Sequence, residues 1–395
     1  MPVLHPLPKQ PDLNIPALER SLDLSSLTNS YKLYWFAALL DEINRCSAEI
    51  SFRRMIILMI SKCWYSVLKF RLNFGSLDML HRLVHYIHEK YNLTAEITET
   101  ELLKFLENIE DFEFEKALIN FTKYVPYRFL SPFYEDKLRG IHDHLKNSII
   151  EELSCKDDRA VYRIRSSDSK IEINYNWFEY LYCNTAIVTG WHRYRLVEFL
   201  QRRNPNVPSV IDKIEAPQKR NLSEARNFWK KIITAIQSPP PGDLGCRGYS
   251  GSESAGAIKD IYTGQRIESS DMSLDHFIPW SFVLHDQLWN LAPVSKRVNS
   301  SKSDLLPDLD KHLESFIDLQ FMAYITAIES GIKSNALEDY YILGAGNNTS
   351  TPVPPPGDRG YSQGIIRESD FKGILRNTIT PLHRIAQNQG FGLWR

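Results

Sequence analysis

Leu274-Asp275-His276-Phe277-Ile278-Pro279-Trp280-Ser281-Phe282, followed by Leu288-Trp289-Asn290-Leu291 and Asn299-Ser300-Ser301-Lys302-Ser303-Asp304-Leu305-Leu306-Pro307, is the stretch on which the reading of this chain turns. Asp260-Ile261-Tyr262-Thr263-Gly264-Gln265-Arg266-Ile267 precedes it. Alternating apolar positions and a turn at Gly264 predict two short strands, and Val294 to Ser303 predicts a short helix. The whole reads as a strand-strand-helix finger. An Asp-His pair by itself is usually a polar turn; here Asn290 stands 15 residues and Asn299 24 residues after Asp275, with Pro279, a Lys-Ser pair and a Tyr-Thr-Gly turn in place. That combination is specific where the pair alone is not.

The spacing resembles the HNH endonuclease family, the ββα-metal or His-Me finger nucleases. It is most similar to the HNH domain of the RNA-guided CRISPR effector nuclease, including Ser281-Phe282, Lys302-Ser303-Asp304 and Pro307. About 50 of the 395 residues are covered, and the remainder shows no similarity to that effector, so guide-RNA binding is not implied. The resemblance implies metal-dependent hydrolysis of DNA phosphodiesters leaving 5′-phosphate and 3′-hydroxyl ends. Such chemistry requires an activated water, a cation to stabilise charge on the phosphate, and fixed in-line geometry.

In that scheme His276 is suited to take the proton of the attacking water near neutral pH. Asp275 and Asn299 offer hard oxygen ligands to one Mg²⁺ or Mn²⁺. Asn290 pins the loop or orients the histidine, and Lys302, Lys296 and Arg297 contact phosphates. Many family members carry Cys-x-x-Cys knuckles around a structural zinc. Tyr262-Thr263-Gly264 stands where such a knuckle begins, so no structural zinc is expected and Leu274, Phe282, Leu288, Trp289 and Leu291 must supply the finger's core.

Outward from the finger, 395 residues are too many for a single ordinary core and imply several domains. A hydrophobic share of 43% beside 24% charged residues is that of a folded, non-membrane protein. The longest apolar run, Met55 to Ile60, falls far short of the ~20 residues a bilayer needs. The proline-rich opening, Met1 to about residue 21, lacks the basic and apolar regions of a secretory signal and reads as an extended tail, so a cytoplasmic location is expected. Five isolated cysteines suggest reduced, mostly buried thiols.

A net charge of -1 argues at first against a nucleic-acid partner, but the charge is uneven. From His192 to Lys231 ten Lys or Arg face four acids, a balance of +6, whereas Glu96 to Lys116 carries -6. The basic stretch, with Lys219, Arg220, Lys230 and Lys231, is expected to hold DNA. Trp177, Tyr180, Tyr182, Trp191 and Tyr194 could stack on bases, but at helical spacing such residues are more often core. His81, His85 and His88 share one face of a predicted helix without a companion acid or cysteine, which favours a face without metal.

Residues 22–237 read as a mainly helical module. Its helices are expected from Tyr31, over Ser51–Asn73, from Ser76 to Lys90 and onward to Leu153 with a break near Pro126–Pro132. A hairpin over 161–175, a long helix Trp177–Arg203 and a helix Ser223–Gln237 follow. A Pro/Gly-rich loop (238–257), the finger (258–308) and C-terminal helices over 309–395, interrupted by a second such loop near 344–364, complete the chain. The fold class is α+β, mainly α. DNA is the expected substrate, in restriction or antiviral defence. RNA, a special DNA structure, a partner-activated DNA-binding effector, a homodimer and a protein partner all remain open at this point.

Overall fold

A computed structural model describes residues 6–217, 220–237, 258–268, 270–345 and 366–395. Both Pro/Gly-rich loops and Lys219 lie outside the described residues. The fold is α+β, mainly α, as the periodicities predict. The chain divides into two compact units, residues 1–217 and 218–395.

The first unit is built on two adjoining helices, Tyr31–Asn44 and Phe52–Leu68. Trp35, Phe36 and Trp64 are fully buried, as is the whole Met55–Ile60 run, which is therefore core rather than a membrane element. No described helix is long and apolar enough to cross a membrane. The expected hairpin forms, β2 (Tyr162–Arg165) pairing antiparallel with β3 (Lys170–Ile173). A third strand, β1 (Glu49–Ser51), adds to β3 on its free edge. Three residues carry too little alternation to reveal a strand in the sequence.

The opening is not an extended tail over its described part: Ile15–Ser21 is a helix capped by Asn14 whose Ile15, Ala17 and Leu18 are buried, because apolar residues between the prolines join the core. Two helix boundaries also differ from expectation. Pro126 sits in the first turn of the helix Val125–Leu130, where a missing N–H is harmless, so the anticipated break is a helix start. The long helix divides at Asn184 into Tyr175–Cys183 and Thr185–Arg203. Of the four described cysteines only Cys63 is buried; Cys46, Cys155 and Cys183 are exposed, contrary to expectation. Trp177, Tyr180 and Trp191 are core residues, whereas Tyr182 and Tyr194 are exposed.

The second unit contains the finger and the helices that support it. The helix Ser223–Gln237, placed by sequence with the N-terminal module, belongs here. Ala225, Phe228, Trp229, Ile232 and Ile233 recur at helical spacing and enter one core with the finger's Leu274, Phe277, Ile278, Phe282, Leu288, Trp289 and Leu291. The C-terminal helices Leu309–Glu329 and Glu368–Asn388 complete it. Phe316 from the first of them stacks on Phe277 with ring centres 4.2 Å apart. Each such fully buried side chain contributes about 1.5–3 kcal/mol.

Candidate active site

β4 (Met272–His276) pairs antiparallel with β5 (Leu291–Ser295), and the helix Lys296–Lys302 follows directly. The strands lie after the Gly264 turn, not around it; at that turn only an isolated bridge, Lys259 to Arg266, forms. Gly264 takes a φ of +70°, a conformation open to glycine at little cost. Asp260 fixes this turn from within. Its carboxylate accepts the backbone N–H of Tyr262 at 2.9 Å and of Ser295, the helix cap, at 3.0 Å.

Side chains two apart on a strand share a face, and those three apart on a helix share a side. Ser273 and Asp275 on β4 therefore meet Asn299 and Lys302 on the helix. Asn299 Nδ2 donates to Ser273 Oγ at 2.8 Å. Lys302 Nζ lies 3.1 Å from both carboxylate oxygens of Asp275 and donates to the His276 carbonyl at 2.7 Å. From the other side the Tyr262 hydroxyl donates to Asp275 Oδ2 at 2.7 Å. Burial and the adjacent carboxylate push the Tyr262 phenol well above its ordinary value, which keeps it a donor.

The donor set fits a hard divalent cation. Asn299 commits its amide N–H₂ to Ser273, which leaves its Oδ1 as an acceptor. Asp275 is only 2% exposed, yet a carboxylate has about four lone-pair sites, so Oδ1 keeps capacity beyond Lys302. Among the described residues no group of three His, Cys, Asp or Glu could hold a metal, so any ion at this seam takes its remaining ligands from water or substrate.

His276 ends β4 opposite Leu291. Its Nε2 lies 2.9 Å from Asp286 Oδ1, a residue the sequence reading passed over. Asn290 is fully buried and clamps Ile278 twice, its Oδ1 accepting the Ile278 N–H and its Nδ2 donating to the Ile278 carbonyl, each at 2.8 Å. It pins the loop and makes no hydrogen bond to the His276 ring. Asn290→Ala is expected to destabilise the protein by about 1–3 kcal/mol for each backbone group left unsatisfied. Urea unfolding followed by circular dichroism measures it, and an unchanged midpoint would show that water replaces the clamp.

The cations divide unequally. Lys302, expected on phosphate, is fully buried and engaged by Asp275 and the His276 carbonyl; a long stem that seemed surface-bound lies inside the strand-helix seam. Lys296 and Arg297 are exposed, Lys296 donating to the Ser270 carbonyl at 2.8 Å. Within the basic stretch Arg193 pairs with Glu215, and Arg195 and Arg202 share Glu198. Lys213 is fully buried, and burial lowers its pKa to about 7. These residues are therefore poorly disposed toward phosphate.

In the second unit the helix Ser223–Gln237 presents Arg226, Lys230 and Lys231 on its exposed side, none of them ion-paired among the described residues. Arg220 stands 5.1 Å over the Trp280 ring, close in sequence to the His276 strand end. His81 and His85 lie with ring centres 4.7 Å apart, and burial lowers the pKa of His81 to about 4.

Two antiparallel strands and a crossing helix, with an Asp-His pair at the strand end, form a ββα finger. Residues 260–308 match the family model described as HNH endonuclease, so this segment is an HNH unit and associates the chain with nuclease chemistry on nucleic acid. Neither the curated proteins nor the solved structures contain a match to the chain. Asp260, Tyr262 and Asp286 are the site residues to which sequence reasoning gave no role. The one signal that could have found them was their position inside or beside the matched segment.

Proposed function

We propose that the protein is a divalent-metal-dependent endonuclease that hydrolyses DNA phosphodiesters at the strand-helix seam of its second unit, with His276 as general base. The observation that carries the reading is the convergence, inside the segment that matches the HNH family, of Asp275 and Asn299 on one seam with His276 at its end. Asp275 and Asn299 would hold one Mg²⁺ or Mn²⁺. Bound there, the ion supplies charge stabilisation to the scissile phosphate and the leaving oxygen.

The rest of the chemistry belongs to the chain. His276 takes the proton of the attacking water as the new P–O bond forms and the P–O3′ bond breaks, which gives 5′-phosphate and 3′-hydroxyl ends. Tyr262 and Lys302 hold the Asp275 carboxylate in place. One finger holds one such site, so a double-strand break takes two copies or two visits.

Arg226, Lys230 and Lys231, with Lys296, Arg297 and Arg220, supply exposed positive charge on the same unit. Together they would position the phosphate backbone rather than read bases. Changing Lys230 and Lys231 to Glu is expected to weaken binding. The slope of log affinity against log salt should become shallower by about 0.9 for each duplex phosphate that is no longer neutralised. Fluorescence anisotropy across a salt series measures it, and an unchanged slope would move the binding surface elsewhere.

The direct test is incubation of supercoiled, linear and single-stranded DNA, and of RNA, with Mg²⁺, Mn²⁺ or chelator. Metal-dependent cleavage of DNA is expected. Cleavage of RNA alone would transfer the same chemistry to that substrate, and no cleavage of any form would refute the reading.

A further inference from the structure

His276 has two ring nitrogens, and the structure engages one of them. Nε2 lies 2.9 Å from Asp286 Oδ1, with the imidazole 6% and the Asp286 side chain 23% exposed. Nδ1 has no hydrogen-bond partner among the described residues. A carboxylate only accepts hydrogen bonds, so the nitrogen facing it must carry the hydrogen. The other nitrogen then keeps its lone pair, and a proton taken from water goes there.

Asp286 is itself held. The short helix Trp280–Val283 ends at Leu284, whose φ is +57° and whose N–H donates to the Trp280 carbonyl at 2.7 Å. Beyond Asp286, the Trp289 indole N–H donates to Gln287 Oε1 at 2.8 Å, and the Leu288 N–H donates to Asp339 Oδ2 at 2.7 Å. The carboxylate thus stands between two tethered points ten residues from its histidine. Asn290, the alternative candidate for orienting the ring, spends its side chain on Ile278.

We infer that Asp286 is the positioning residue of the general base: it fixes the His276 ring with Nε2 protonated, assigns proton abstraction to Nδ1, and stabilises the imidazolium that results. The inference rests on the nuclease reading above. It follows the general rule that the partner of one ring nitrogen sets the state of the other.

The test uses the full-length protein with Asp286→Asn, which keeps the side-chain volume, and Asp286→Ala. Both should lower kcat by roughly 10- to 100-fold, with KM within about twofold of wild type, as loss of an orienting partner does. Nitrogen-15 long-range correlation spectra of the His276 ring should report an Nε2–H bonded to the carboxylate in wild type, with its resonance moving toward that of a solvated imidazole in Asp286→Ala. Undiminished kcat in both variants, or an Nε2 resonance unmoved in Asp286→Ala, overturns the inference while wild-type cleavage leaves the nuclease reading intact. If the wild type cuts nothing, that reading fails by itself, and the ring spectra still decide whether Asp286 holds the imidazole.

Discussion

His276→Ala is expected to lower the rate of metal-dependent cleavage by roughly 100- to 10,000-fold, the range that positioned general bases contribute. The loss should appear in kcat. The exposed cations proposed to carry the nucleic acid lie on other elements, the helix Ser223–Gln237 and the first turn of the finger helix, and alanine leaves them untouched. Some stability is lost with the packing of the buried ring, but Asp286, its hydrogen-bond partner among the described residues, is partly exposed and can be hydrated when the ring is gone. Nicking of supercoiled plasmid, compared at matched thermal stability, separates the two effects. Equal cleavage by variant and wild type would mean that the reacting centre lies elsewhere in the chain.

Lys302→Met carries the largest expected effect on folding. The ammonium is fully buried against Asp275, itself 2% exposed, and methionine retains an unbranched stem of similar length. Removal of one partner leaves the carboxylate with Tyr262 as its remaining side-chain donor in a desolvated seam. Breaking a buried pair in this way destabilises by about 3–5 kcal/mol, much of it the desolvation of the orphaned charge.

Two further measurements make that explanation specific. The double variant Asp275→Asn with Lys302→Met removes both charges and should recover most of the loss. Millimolar Mg²⁺ should stabilise the single variant more than the wild type, because a cation bound only to the folded state raises its stability by mass action. A single variant within about 1 kcal/mol of wild type in chemical denaturation would show the pair to be hydrated and of little consequence.

Much of the molecule is legible in local sequence. Apolar residues at helical spacing locate the helices Phe52–Leu68, Ser223–Gln237 and Leu309–Glu329 to within a few residues, because the face each helix must bury is written in its own successive turns. Asp78, which accepts the His81 N–H at 3.1 Å, marks a helix start in the same way. The Asp275, His276, Asn290 and Asn299 spacing singles out the finger because four chemically distinctive residues occupy fixed positions within 25 residues.

Other features required the fold. That the helix Ser223–Gln237 joins the second unit, that Glu49–Ser51 completes a sheet with strands more than 100 residues away, and that Lys302 points inward are consequences of packing. The same holds for the hydrogen bonds of Tyr262 and Asp286. By itself the sequence determined where most helices run, since the face each one buries recurs within one or two turns, and it singled out the finger by the spacing of a few distinctive residues. Only the tertiary structure decided which of those residues are buried and what each one touches, because a hydrogen bond between residues 10 to 27 positions apart exists only once the intervening chain has taken its path through a shared core.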